Sequence, residues 1–426
     1  MRPGPGVDPL SSAPMTTAEP VASPEHATAL DAADPLASFR ARFVAADPSL
    51  VYLDGNSLGR LPLATVARLH DVVTREWGGE LIRGWSHWME LPRRLGDRLA
   101  ADVLGARPGE VIVSDSTTVN FYKLATAALD ARPGRRTLVT ARDDFPTDRY
   151  VLEGLAAARG LSVRWIEADP IAGPTPADLA RVLDDDTALV ALSHVNYRSA
   201  AIADLPALTA LAHQAGALAL WDLSHSAGSV PVSLDASGAD LAVGCTYKYL
   251  NGGPGAPAYL YVRQALQGGL HSPIWGWLGR RDPFAMEQGY EAEEGIGGWL
   301  AGTPGVLALA AVEEGVALVD EAGLDRLRAK GSALTSYAIG LHDAWLAPLG
   351  CRLGSPRDPA RRGSHVSILH PDASSLCERL VASGVIPDFR RPDSIRLGMS
   401  PLTTSFGDVY RGLDRLRSLL GAPGPR

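Results

Sequence analysis

Chemistry that needs a primary amine has three places to happen in this chain. Of its 40 basic residues only Lys123, Lys248 and Lys330 are lysines; the other 37 are arginines. Lys248 has the surroundings of a reactive amine. It lies in Gly244-Cys245-Thr246-Tyr247-Lys248-Tyr249-Leu250-Asn251-Gly252-Gly253-Pro254-Gly255, after an apolar strand and before a glycine-rich turn. Aromatic neighbours and a pliable backbone suit a lysine that forms a Schiff base. Lys123 falls inside a helical pattern, and Lys330 closes a basic helix end before Gly331. Both read as surface side chains with solvated heads.

The amine has candidate partners. Leu218-Ala219-Leu220-Trp221-Asp222 reads as a buried strand that ends in an acid. In open α/β sheets ligands bind at the carboxyl ends of strands. A pyridoxal cofactor needs an anion at its ring nitrogen, and Asp222 is the candidate. His225, three residues on, is placed to stack on such a ring or to hold Asp222. Ser114-Asp115-Ser116-Thr117-Thr118 puts hydroxyls just before a helical pattern, where backbone N–H groups accept a phosphate. The same residues read alone as an ordinary helix cap. The turn at 252–255 is not a nucleotide-phosphate loop, because no Gly-Lys-Ser/Thr occurs in it.

These residues need a scaffold. Strand candidates at 110–114, 136–140, 162–166, 187–193, 217–221, 240–244 and 258–262 alternate with helical patterns at 118–129, 147–159, 176–183 and 205–215. That order implies an α/β domain with a mostly parallel sheet. Helical spacing at 64–76 and 92–104 precedes it. From Gly305 a long helix, further helices and short strands near 364–369 and 394–398 imply a smaller α+β domain. The division expected is a disordered tail at 1–35, an N-terminal arm at 36–75, a large cofactor-binding domain at 76–305 and a small C-terminal domain at 306–420. The tail carries seven prolines and no apolar run of the kind a signal peptide has.

Composition narrows the class. The 426 residues are 46 % hydrophobic and 21 % charged, as expected of a globular protein. A net charge of −8 argues against a broad nucleic-acid face. Three widely spaced cysteines form neither a disulfide framework nor a zinc site, and reduced cytoplasmic thiols are the expectation. No metal and no membrane span are expected.

With Thr246–Gly255 and Trp221-Asp222-Leu223-Ser224-His225-Ser226-Ala227-Gly228 in view, the chain resembles the kynureninase family. Further blocks carry the likeness: Leu53-Asp54-Gly55-Asn56-Ser57-Leu58-Gly59, Phe145-Pro146-Thr147-Asp148-Arg149-Tyr150, Ser193-His194-Val195-Asn196-Tyr197-Arg198, Gly276-Trp277-Leu278-Gly279 and Gly302-Thr303-Pro304. The likeness runs over roughly residues 50–415. It implies the aminotransferase-like fold of type I pyridoxal-phosphate enzymes, a homodimer with shared active sites and a small amino-acid substrate. It implies that Lys248 carries the cofactor and Asp222 faces the pyridinium. Thr117 and Thr118 would hold the phosphate. Phe145, Pro146, Thr147 and Asp148 would lie along the ring. Ser193, His225 and Tyr247 would line the site, Trp277 and Thr303 would reach the phosphate from the other subunit, and Arg396 would grip the substrate α-carboxylate.

The implied reaction is hydrolysis of L-kynurenine or 3-hydroxy-L-kynurenine to an anthranilate and L-alanine, with Lys248 moving the α-proton and Tyr247 relaying another. A ring-modified kynurenine, or an aminotransferase or lyase reaction on the same fold, is the alternative. A cysteine desulfurase would need a mobile thiol, for which Cys351 is the one loop candidate. Arg280 and Thr403 depart from the family's usual residues near the substrate.

Overall fold

Seven strands of the chain form one sheet, and all but the edge strand at Ser162–Ile166 are buried along their length. A strand covered by helices on both faces reads as an unbroken apolar run. The computed structural model describes residues 21–45 and 47–421. In chain order the first eight strands are β1 (Val51–Tyr52), β2 (Val111–Val113), β3 (Thr137–Ala141), β4 (Ser162–Ile166), β5 (Thr187–Ser193), β6 (Leu218–Asp222), β7 (Leu241–Gly244) and β8 (Tyr259–Val262). The large sheet has the order β2-β8-β7-β6-β5-β3-β4. Neighbours pair in parallel from β4 through β7, and β8 alone runs against both of its neighbours. The carboxyl ends of β2, β3, β5, β6 and β7 therefore share one edge.

The C-terminal part adds β9 (Arg352–Leu353), β10 (His365–Leu369), β11 (Val385–Ile386), β12 (Asp388–Arg390) and β13 (Ser394–Gly398). Four of these form an antiparallel sheet in the order β12-β13-β10-β9. β11 pairs in parallel with β1, which ties the N-terminal arm to the C-terminal part. Helices Val306–Ala322 and Leu324–Leu341 bridge the two regions.

Two expectations need correction. The tail expected at 1–35 contains an ordered helix, Pro24–Ala32, capped by Ser23. It docks on the last helix, Phe406–Gly421, where Asp31 accepts from Phe406 N (2.9 Å) and Gly407 N (3.0 Å). A carboxylate at a helix N-terminus offsets the free N–H groups there. Residues 1–20 lie outside the described residues. The surface reading of Lys123 and Lys330 also fails. Lys123 is 0 % exposed and Lys330 is 4 % exposed, and each meets an aspartate.

Candidate active site

The edge at the strand carboxyl ends holds a cavity of about 410 Å³. Lys248, Tyr247, Asp222, Phe145, Thr147, Asp148, Thr117 and Thr118 all line it. Topology explains the gathering: Ser116 caps the helix that follows β2, Phe145 the helix after β3, Asp222 ends β6, and Tyr247 and Lys248 follow β7.

Lys248 is 8 % exposed and makes no ion pair among the described residues. Its Nζ lies 3.4 Å from Nδ1 and 3.3 Å from Nε2 of His225 and 5.8 Å from the Phe145 ring centre. Burial, and then the Lys248 ammonium, hold the His225 imidazole well below its usual range, so the ring is neutral. Asn251, in the turn beyond the lysine, takes a left-handed φ of 54°. Gly59 donates to Tyr247 O at 2.8 Å, and a Cβ there would come within 2.4 Å of Lys248 O. The Asp54–Gly59 segment thus packs on the lysine-bearing turn, and only glycine fits at its end.

Asp222 is 6 % exposed and accepts from Ser224 N at 2.8 Å. Two further carboxyls lie near it. Burial, then the charges of Asp222 and Asp144, push Asp148 well above the usual carboxylate range. Burial is also the main cause that lifts Asp144 to about 7. Ser193 N donates to Asp144 at 3.3 Å, and Ser193 stands beside Asp222 in the β5–β6 register.

Thr117 and Thr118 begin the Thr117–Asp130 helix, whose first N–H groups have no intrahelical acceptor. Pro146 opens the Pro146–Arg159 helix, Asp148 lies in its first turn, and Phe145 meets Tyr197 edge to face at 5.4 Å. Tyr247 is half-buried, and burial followed by the Cys245 thiol raises its hydroxyl above the usual phenol range.

Six predicted residues do not line this cavity: Pro146, Ser193, His225, Trp277, Thr303 and Arg396. His225 lies beneath Lys248. Trp277 packs edge to face on Phe284 at 5.8 Å. Thr303 lines a separate cavity of about 260 Å³, which shares Asp115 and Gly255 with the first. Arg396 is 1 % exposed and donates to Tyr197 O (2.7 Å) and Ser57 Oγ (2.7 Å). With its amide nitrogen toward Asp54 (3.2 Å), Asn56 accepts from Arg396 Nε at 3.1 Å. A Cβ on Gly398 would fall 1.7 Å from the Asn56 carboxamide.

Arg280 does not line the cavity. Its guanidinium donates to Asp282 O at 2.6 Å and reaches Glu287 at 3.2 Å, bracing its own loop. Asp144 and His365 went unnoticed in the sequence, and Asn56 was seen only as part of the Leu53–Gly59 block, with no role given to it. His365 is 0 % exposed, its ring centre 5.6 Å from that of His225.

Over 400 residues the chain is 44 % identical to the kynureninase of Pseudomonas fluorescens, covering 92 % of this chain and 94 % of that one. The chain belongs to the kynureninase family. The kynureninase of Burkholderia pseudomallei is likewise 44 % identical over 404 residues, covering 93 % and 95 %. The profile of the kynureninase C-terminal domain matches residues 327–416. Among solved structures, the apo cysteine desulfurase of Thermococcus onnurineus NA1 superposes with TM-score 0.77 at 20 % identity, covering 90 % of this chain and 97 % of that one. A cysteine desulfurase of Escherichia coli gives TM-score 0.75 at 18 % identity, covering 90 % and 98 %. The kynureninase-family chain thus shares the fold of these enzymes.

Proposed function

We propose that the chain hydrolyses the Cβ–Cγ bond of L-kynurenine or 3-hydroxy-L-kynurenine, giving L-alanine and an anthranilate, with pyridoxal phosphate as cofactor. One observation carries the reading: a single cavity has the Lys248 amine, the Asp222 carboxylate and an open helix N-terminus on its walls. These are an amine for an aldehyde, an anion for a pyridinium and donors for a phosphate. The donor set fits the cofactor, which supplies an electron sink for the substrate α-carbon when bound.

The chain's own residues do the rest. Asp222 would hold the cofactor's ring nitrogen protonated. Thr117 and Thr118 would present hydroxyls and N–H groups to its phosphate, and Phe145 would cover its ring. Lys248, against a neutral His225, is free to take the α-proton and return it elsewhere. Tyr247 keeps its proton at neutral pH and donates it to the developing carbon anion. Arg396 offers its guanidinium to the α-carboxylate. Cys351 is buried, and burial lifts its thiol to about 11, so it does not act as a desulfurase nucleophile.

Two further parts belong to this proposal. The family likeness and the exposed Trp77, Leu81, Ile82, Trp275, Phe284 and Met286 support a homodimer whose sites are shared. Three free cysteines support the cytoplasm. No helix among the described residues is long and apolar enough to cross a membrane.

The test is a product assay with purified protein and pyridoxal phosphate, following alanine and fluorescent anthranilate from both kynurenines. Release of both products is expected, and the rate ratio sets the ring preference. Cofactor bound at Lys248 without alanine from either substrate overturns the proposal.

A further inference from the structure

Lys123 is the most buried amine in the protein, and the reaction as proposed makes no use of it. Its Nζ donates to Asp115 Oδ2 at 2.5 Å and to Trp299 O at 2.7 Å, and its side chain is 0 % exposed. Withdrawing an ammonium from water is costly, and burial pulls its pKa down while Asp115 opposes the shift.

Asp115 occupies a delicate place. It sits between the end of β2 and Ser116, the cap of the Thr117–Asp130 helix, with a left-handed φ of 52°. Its carbonyl accepts from Ala258 N at 2.9 Å, and Ala258 O accepts from Ser114 N at 2.8 Å. It lines both the main cavity and the adjoining one, and its side chain is 27 % exposed. A bare carboxylate here would stand beside the helix N-terminus meant for a phosphate and would repel it. The Lys123 ammonium cancels that charge from inside the wall. Its second bond, to Trp299 O, fixes the Gly295–Trp299 segment, which leads into the loop bearing Thr303. One ammonium therefore holds both the turn that leads into the Thr117–Asp130 helix and the wall of the neighbouring cavity.

We infer that Lys123 is a positioning residue that neutralises Asp115 and so makes this wall accept a phosphate dianion. The inference rests on the cofactor reading above.

The experiment titrates purified protein with pyridoxal phosphate and, separately, with unphosphorylated pyridoxal, reading absorbance of the Lys248-bound form. Removing the ammonium in Lys123→Met leaves the carboxylate facing the phosphate, so affinity for pyridoxal phosphate should fall about tenfold while that for pyridoxal changes less than about twofold. The double variant Lys123→Met/Asp115→Asn removes both charges and should recover most of the loss. Asp115→Asn alone should keep or raise the preference for the phosphorylated form, which gives a reading even where Lys123→Met does not fold. An unchanged preference in folded Lys123→Met, no recovery in the double variant, or a fall in Asp115→Asn each overturns the inference. Failure of the cofactor reading is separate: wild-type protein would then take up neither compound at Lys248, and both would be lost together.

Discussion

Asp388 on β12 and Arg396 on β13 stand directly opposite each other in the strand register and form an ion pair, with the guanidinium 1 % exposed. Asp54 adds a weaker contact at 3.9 Å. The aim of the guanidinium is thus fixed by a carboxylate, a hydroxyl and a backbone carbonyl.

That aim should not survive Arg396→Lys. A point-like ammonium cannot reach Tyr197 O, Ser57 Oγ and Asp388 together. KM for L-kynurenine should rise about 100-fold while kcat stays within about tenfold. Steady-state kinetics decide it: an unchanged KM would put the α-carboxylate elsewhere.

Lys248→Ala and Asp222→Asn address the chemistry. Each should lower kcat at least about 10³-fold with the fold intact by circular dichroism. Asp222→Asn keeps an acceptor for Ser224 N and loses only the charge, so it should retain cofactor. Activity of Asp222→Asn within tenfold of wild type would remove the pyridinium role.

His194 gives a pH signature. Its ring touches Ser226 Oγ at 2.9 Å and meets Trp221 edge-on, and burial holds its pKa down at about 4. The neutral ring therefore contributes stability that is full above the ordinary value of 6.5 and is lost as pH falls through about 4. Asp144, lifted to about 7, has the opposite sign, costing stability as pH rises from 3.8 to about 7. The variant His194→Gln separates them: relative to it, wild type should lose about 2 kcal/mol between pH 6.5 and 4.5 in urea unfolding. Parallel stability curves would count against a buried neutral ring.

Lys330 and Asp34 form a buried ion pair at 2.7 Å that fastens the segment after the Pro24–Ala32 helix to the Leu324–Leu341 helix. Lys330→Met leaves Asp34 with the Leu36 N–H at 2.9 Å and Arg40, 3.7 Å away. Such a loss should cost about 3 kcal/mol, whereas Lys330→Met/Asp34→Leu should cost far less because no charge is left stranded. Denaturant melts of the two variants test the difference.

The parallel sheet was legible because strands buried on both faces, such as Thr187–Ser193, have no polar alternation to blur them. The cavity was legible because Thr117, Phe145, Asp222 and Lys248 each follow or end a strand at the same edge. The long-range pairs were not. Lys123 looks like a surface residue until its neighbours Phe121, Leu124, Ala125 and Ala127 are seen to be buried as well. Nothing near Lys330 in sequence points to Asp34. The Pro24–Ala32 helix has too weak an apolar face to announce itself, and its order comes from Asp31 reaching the last helix. His365 showed no signal because an isolated histidine on a strand is ordinary.

All three lysines lie inside, so residues 21–421 offer solvent no lysine ammonium; the basic surface is guanidinium. An aldehyde condenses with amines and leaves guanidinium groups largely alone. Offered in excess, a carbonyl compound has one cavity-lining lysine to find in this chain. Borohydride trapping should therefore fix one label per chain, a chain-terminal amine aside, and peptide mapping should return it on Lys248 with little background to subtract.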